Sequence, residues 1–213
     1  VVENEELSNY VETSDEWITK RIGVKQRHVC TTETTADMGE QAARRALENA
    51  GVRAEELDLI IGATISADTI SPGLAGMVQN RIGAHCPAFD INVACPGFLF
   101  ALDTAAGFFE RKTVKKVLVV SSERMSGLVD WTDRGTCCIF GDGSGAAVLG
   151  EGDSYLASEL HTKGGEDVIA IPTWWNNSPF YQKELRKNCV FMQGQETYKF
   201  AVTAMPADIK AVL

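Results

Sequence analysis

Apolar and polar positions change period several times along the chain, and each change marks an element. Between residues 35 and 50, Met38, Ala42, Ala43, Ala46, Leu47 and Ala50 recur three or four residues apart, the spacing of a helix with one buried face. Thr34 or Thr35 supplies its N-cap, and Gly51 is placed as its left-handed stop. Residues 57–64 (Leu-Asp-Leu-Ile-Ile-Gly-Ala-Thr) are short and mostly apolar, as a strand buried on both faces should be. Ser71-Pro72 offers a cap and a first-turn proline for a second helix that runs to about Ile82 and ends at Gly83. Residues 88–93 read as the next strand. Pro96 and Gly97 open a helix through Phe109, with Phe98, Ala101, Leu102, Ala105, Phe108 and Phe109 available for its buried side. Residues 117–121, 145–149 and 155–160 read as further strands. The β-α-β-α-β alternation predicts an α/β layered fold with a largely parallel sheet. Residues 163–190 are polar, with Pro172, Trp174, Trp175, Asn176, Asn177 and Pro179, and read as a long surface excursion. Residues 196–213 are helical in pattern, with Pro206 expected to kink or split them.

Composition narrows the class. A length of 213 residues allows one large domain or two small ones. With 45% hydrophobic and 23% charged residues, the chain holds enough apolar material to offset ordering entropy, which excludes disorder as its main description. No apolar run approaches the ~20 residues of a membrane helix. No basic stretch precedes an apolar one as in a signal peptide, and the chain begins at Val1 rather than Met, which leaves a targeting segment open. Lys and Arg number 20 against 29 Asp and Glu, a net charge of −9. That balance argues against nonspecific nucleic-acid binding while permitting local basic spots for an anionic ligand. The six cysteines, at 30, 86, 95, 137, 138 and 189, form no CxxC and no zinc spacing with histidine. Free thiols in a reducing, cytosolic compartment are expected, most of them as small core residues.

Three segments carry candidate chemistry. In Asp90-Ile91-Asn92-Val93-Ala94-Cys95-Pro96-Gly97-Phe98, a cysteine falls between a buried strand and a helix start. Helix-end amides stabilise a thiolate there, and the small Ala94 and Gly97 admit a substrate carbonyl. A nucleophile and a buried structural cysteine weigh about equally on position alone. The run Gly141-Asp142-Gly143-Ser144-Gly145 is a weak phosphate-loop signal without the following Lys-Ser/Thr, and a strand-entry turn is the simpler reading. Arg134 just before it is either an anion contact or a solvated surface charge. Ser14 can cap a short helix that places Trp17 and Arg21 on one face, where they could hold a planar base or serve as a core aromatic and a surface charge.

Together these segments resemble the β-ketoacyl-acyl-carrier-protein synthase III family of the thiolase superfamily. The resemblance rests on Thr13-Ser14-Asp15-Glu16-Trp17-Ile18, Arg21-Ile22-Gly23-Val24, Cys86-Pro87-Ala88-Phe89-Asp90-Ile91, Ala94-Cys95-Pro96-Gly97-Phe98, Asp133-Arg134-Gly135-Thr136, Phe140-Gly141-Asp142-Gly143-Ser144-Gly145-Ala146 and Phe200-Ala201-Val202. It implies a thiolase-like layered α/β/α/β/α fold with mixed, mostly parallel sheets. Residues 1–150 would form the N-terminal half, short of its first strand. Residues 151–213 would form a linker excursion and the start of an incomplete second half. It implies a cytoplasmic homodimer that initiates type II fatty acid synthesis. Cys95 would take an acyl group from acyl-coenzyme A, and that group would then condense with malonyl-acyl-carrier protein. The resemblance further implies that Trp17 and Arg134 stack on the adenine of coenzyme A and that Thr13 and Arg21 contact its nucleotide end. Gly135, Ile139, Phe140, Met192 and Gly194 would line the pantetheine or acyl path. No metal or redox cofactor, no nucleic acid and no membrane enters this scheme.

The sequence also departs from the family. Neither the His-Gln-Ala-Asn nor the Gly-Asn-Thr stretch that supplies the family's catalytic His and Asn is present, and His28, His85 and His161 stand in unrelated contexts. The 213 residues alone are therefore expected to decarboxylate malonyl-acyl-carrier protein poorly, and the natural chain is expected to continue. Pro96 replaces a usual small residue. Ser71 stands where family members carry an aromatic that limits primer length, which implies a roomier pocket for longer or branched primers. A ketosynthase-like acyltransferase of a polyketide-type pathway and a non-catalytic acyl-coenzyme A-binding fragment are the alternative functions.

Overall fold

The computed structural model describes residues 1–172, 178–180 and 188–213. In chain order these form β1 (Val2–Glu3), α1 (Asp15–Ile22), β2 (Gln26–Arg27), α2 (Thr35–Ala50), β3 (Leu59–Ala63), α3 (Leu74–Ile82), β4 (Ala88–Ile91), α4 (Gly97–Glu110) and β5 (Lys116–Arg124). They continue with α5 (Arg134–Cys137), β6 (Asp142–Gly150), β7 (Ile169–Ala170), β8 (Phe191–Met192) and α6 (Gly194–Val212). Two compact units result. One comprises Val1–Val29, Met125–Gly141 and Glu159–Leu213; the other comprises Cys30–Arg124 and Asp142–Ser158.

The second unit is built on a four-stranded sheet in the order β4-β3-β5-β6. β3 runs parallel to β4 and to β5, with Ile60 opposite Ala88 and Leu118, while β6 returns antiparallel along β5. All five β3 residues are buried, so both faces must be covered. Ile60, Leu118 and Val120 pack with Ala43 and Leu47 of α2 and Leu74 and Val78 of α3. On the other face, Leu59, Ile61, Val117 and Val119 pack with Ala101 and Ala105 of α4. The predicted apolar faces of α2 and α4 thus meet opposite faces of one sheet, giving an α/β/α sandwich.

Helix ends follow their caps. α2 starts on Thr34, whose Oγ1 accepts from the Asp37 amide while the Asp37 carboxylate accepts from the Thr34 amide, and it ends at Gly51 at φ 63°. α3 departs from expectation. It begins at Leu74 rather than at Pro72, and the Ser71-Pro72 peptide bond is cis. Its first amides are already satisfied by Asp90 of β4, which accepts from the Leu74 amide at 2.5 Å and the Ala75 amide at 2.7 Å. A carboxylate at a helix start complements the helix dipole, so no Ser71 cap is needed.

Two further expectations are corrected. Residues 155–160 form no strand; the Tyr155 and Ser158 hydroxyls donate to the Asp103 carboxylate on α4, so side chains rather than a backbone ladder hold this segment. Pro206 neither ends nor splits α6, which runs on to Val212. A proline there costs one backbone hydrogen bond, which a 19-residue helix tolerates. The polar 163–190 excursion contains β7, which pairs antiparallel with β8 in the first unit. Trp174, Trp175, Asn176 and Asn177 lie outside the described residues.

Gly62 marks a tight joint of the sheet unit. A Cβ built there would collide with Asp90 Oδ1 and lie 3.0 Å from the Ala75 amide nitrogen. Gly62→Ala is expected to lower unfolding stability by about 2–4 kcal/mol, because it overpacks this joint and disturbs the α3 cap together. Urea denaturation of the two proteins checks this.

Candidate active site

Cys95 lies on the sheet unit beyond the carboxyl end of β4, where ligands of open α/β sheets bind. The chain turns sharply before it. Ala94 has φ 50°, in the left-handed region that costs a non-glycine residue about 1 kcal/mol or more. The Gly97 amide donates back to the Ala94 carbonyl at 3.1 Å, and the Phe100 amide to the Pro96 carbonyl at 3.1 Å. Pro96 acts as the α4 N-cap, where its missing N–H removes no helical bond. Gly97 is buried, and a Cβ there would approach Ala63 Cβ of β3 to 3.1 Å, so glycine lets the first turn of α4 sit against the sheet. This corner presents Cys95 to solvent, while Cys86, Cys137 and Cys138 are buried. Apart from that of Gly97, which is engaged with Ala94, the first-turn amides of a helix lack intrahelical partners, and such amides can hold an oxyanion.

The same carboxyl edge carries a residue that sequence reading missed. Glu123, near the end of β5, accepts from the Ile65 amide at 2.9 Å and from the Thr64 and Ser66 hydroxyls. Burial pushes its carboxyl above the usual range, partly opposed by those hydrogen bonds. One signal was readable: an acid three residues past an apolar strand core, at the edge where such sheets bind ligands. Asp90 was likewise read only as a strand residue, although it caps α3. Ser71, the expected primer-pocket residue, is exposed in the loop before α3.

The first unit gathers the expected nucleotide residues. Ser14 caps α1 by accepting from the Trp17 amide at 3.1 Å. The guanidinium carbons of Arg21 and of Arg134 each stand 4.6 Å from the Trp17 ring centroid. Both of the pairings considered from sequence, 17 with 21 and 17 with 134, are therefore present at one indole. Arg134 also donates from Nη1 to the Glu12 carbonyl at 2.9 Å. Thr13 Oγ1 is buried with no hydrogen-bond partner among the described residues. Gly135 lies in α5, its amide donating to Asp133 Oδ1 at 2.8 Å. Ile139 is exposed and Phe140 half-buried just after α5. Met192 lines a cavity of about 540 Å³ with Asp130, Asp133, Pro172 and Val190, and Gly194 is the exposed first residue of α6. His161 is held between Asp208 at 3.0 Å and Glu159 at 3.2 Å, while His28 and His85 are exposed. Among the described residues no group of three or more His, Cys, Asp or Glu is placed to hold a metal ion, and no helix is long and apolar enough to cross a membrane.

Comparison with known proteins now decides the family. Residues 89–164 match the family model of 3-oxoacyl-[acyl-carrier-protein (ACP)] synthase III. Across its whole length the chain is 43% identical to the β-ketoacyl-[acyl-carrier-protein] synthase III of Clostridium acetobutylicum, covering 67% of that protein. The chain belongs to the β-ketoacyl-[acyl-carrier-protein] synthase III family. The relative from Vesicomyosocius okutanii is 45% identical over 96% of this chain and 64% of its own. The crystal structure of 3-oxoacyl-[acyl-carrier-protein] synthase III from Aquifex aeolicus VF5 superposes with a TM-score of 0.88 at 38% identity, covering 100% of this chain and 66% of that one. The chain thus spans about two thirds of the length of these relatives. The thiolase-like α/β fold with a mixed, mostly parallel sheet agrees with the sequence-based expectation.

Two outcomes follow from the side-chain environments. Iodoacetamide at pH 8 is expected to modify exposed Cys95 well before Cys86 and Cys137, whose thiols are pushed up by burial, that of Cys137 to about 12. Peptide mass mapping of a time course reads the order. Glu123 has a raised carboxyl pKa, so its contribution to stability is present below its unfolded value and is lost as pH rises through the folded one. The urea midpoint of the parent protein relative to Glu123→Gln should therefore rise as pH falls from 7 to 4.

Proposed function

We propose that this protein is an initiating condensing enzyme of type II fatty acid synthesis, with Cys95 as its acyl carrier. The observation that carries this reading is the exposed cysteine on a positive-φ corner, at the carboxyl end of β4 and the start of α4. Thioester exchange needs a nucleophilic sulfur, room for a carbonyl and fixed dipoles where negative charge develops, and this corner offers all three. Cys95 Sγ bonds to the acyl carbon of acyl-coenzyme A, the carbon–sulfur bond to coenzyme A breaks, and the coenzyme leaves as a thiol with the proton that Cys95 gave up.

The residues around Trp17 fit the nucleotide end of the same substrate. An indole with two guanidinium groups at 4.6 Å can stack a purine and pair with phosphates, and such stacking contributes about 1–3 kcal/mol per base. In this reading Trp17 and Arg134 take the adenine, Thr13 and Arg21 the nucleotide end, and Gly135, Ile139, Phe140, Met192 and Gly194 the pantetheine or acyl path. A base entering between Trp17 and Arg134 displaces the guanidinium from the ring. Local cations in a chain of charge −9 suit an anionic ligand at one place without general attraction to polyanions.

The second half-reaction condenses the Cys95 acyl group with the carbanion formed when malonyl-acyl-carrier protein loses CO₂. That step calls for donors that hold an enolate, and His161, between two carboxylates, is not placed as such a donor. Acyl-coenzyme A and the malonyl carrier protein are the proposed partners, in a cytoplasmic homodimer that uses no further cofactor. Residues 1–150 are read as the N-terminal thiolase half and 151–213 as the linker and start of the second. Ser71 in place of an aromatic suits longer or branched primers.

Incubation with an equimolar mixture of acetyl- and isobutyryl-coenzyme A tests the reading. Intact mass is expected to show one acyl group per chain, mainly isobutyryl, and none in Cys95→Ser. Absence of any Cys95-dependent adduct would overturn the acyl-carrier assignment, and a strong acetyl preference would overturn the primer assignment.

A further inference from the structure

Within the first unit, one buried cation has no place in the scheme above. Arg27 of β2 is only 5% exposed. Its Nη2 donates to Asn4 Oδ1 at 2.7 Å and to the Cys138 carbonyl at 3.1 Å, and its Nη1 to the Val2 carbonyl at 3.4 Å. Its Nε is buried with no partner among the described residues. A guanidinium that meets only neutral oxygens in a buried site is costly, so its retention calls for a reason beyond charge neutralisation. The chain of bonds around it supplies one. Asn4, itself fully buried, donates from Nδ2 to Asp15 Oδ1 at 2.8 Å and to the Val24 carbonyl at 2.7 Å. Asp15 opens α1 and also accepts from Thr19 Oγ1 and Lys25 Nζ. Cys138 is the residue on which α5 ends. A continuous path Asp15–Asn4–Arg27–Cys138 therefore joins the start of the helix that carries Trp17 and Arg21 to the end of the helix that begins with Arg134.

We propose that Arg27 is a positioning residue that sets the spacing of Trp17 and Arg134 by tying α1, through Asn4 and Asp15, to the end of α5. It rests on the nucleotide-site reading given above and adds a residue outside that site which tunes it. The rigid fork of arginine suits this task, because one group reaches two elements at fixed angles, which the point charge of a lysine cannot do. Arg134 stays able to swing away from the ring for a base, because Arg27 fixes the far end of α5 and not the Arg134 side chain.

The test compares the parent protein with Arg27→Lys, Asn4→Ala, the double variant, and Arg53→Gln as a control on an exposed arginine. The first readout needs no ligand. Side-chain NMR resonances of Arg134 are displaced by the Trp17 ring current and are identified by their collapse in Trp17→Leu. The second is the dissociation constant for coenzyme A by titration calorimetry. Arg27→Lys is expected to lose most of the ring-current displacement and to weaken coenzyme A binding about tenfold. The Cys95 alkylation rate should stay within about twofold, the range of an unperturbed group. Asn4→Ala should do the same, and the double variant no more than either, since both cut one path. If Arg27→Lys fails to fold, Asn4→Ala severs the path from the α1 side with the charge retained. Unchanged displacement and affinity in the folded variants would overturn the proposal, as would additive losses that merely track the melting temperature. If the parent binds no coenzyme A, the nucleotide reading fails, while the ring-current comparison still decides whether Arg27 positions Arg134.

Discussion

The five residues of β3 are buried on both faces, so their backbone groups must be paired by β4 and β5 and their side chains covered from two sides. Most of the sheet unit follows from that requirement. Alternate residues of β3 face α2 and α3 on one side and α4 on the other, which is why all three helices need small or branched apolar residues where they cross it. At its carboxyl end the strand narrows to Gly62 and Ala63. There Asp90 reaches over Gly62 to cap α3, and Gly97 lets α4 begin against Ala63. A bulkier residue at either position would move a helix start, and with it the corner that carries Cys95.

That corner shows how a scaffold sustains a locally unfavourable backbone. Ala94 in the left-handed region is held by the Gly97-to-Ala94 hydrogen bond on one side and a well-packed helix on the other. The packing of α4 against the sheet, with Ala101 and Ala105 buried, holds that strain in place, so the fold imposes a geometry that the local sequence alone would not choose. Glu123 holds the neighbouring loop in a comparable way. A carboxyl that burial disfavours as an anion is retained because it accepts three hydrogen bonds that would otherwise be lost.

In the other unit the organising element is polar. Trp17 is flanked by two guanidinium groups, and a buried path of side-chain hydrogen bonds runs beneath α1 to the end of α5. Exposed cation–π contacts contribute about 0.5–1 kcal/mol each, too little to define a fold, so their arrangement depends on the helices that carry them. The excess of acidic residues elsewhere sharpens the contrast of this basic cluster.

The sequence by itself determined the α/β class, the limits of α2 and α4 to within a residue or so, the Ser14 cap, a cap for α2 at Thr34 or Thr35, and the position of Cys95 between a strand and a helix. These are properties of local period and local hydrogen bonding, legible over a dozen residues. It could not determine where α3 begins, because the cap comes from Asp90, sixteen residues beyond Leu74. Nor could it show that residues 155–160 lack a partner strand, since strand pairing is a property of two segments. The approach of Arg134 to Trp17 over more than a hundred residues was expected only through family resemblance, and the burial of Arg27 and Glu123 was not expected at all. Each depends on which distant groups the packed units bring within a few ångströms, and periodicity along the chain carries no record of that distance.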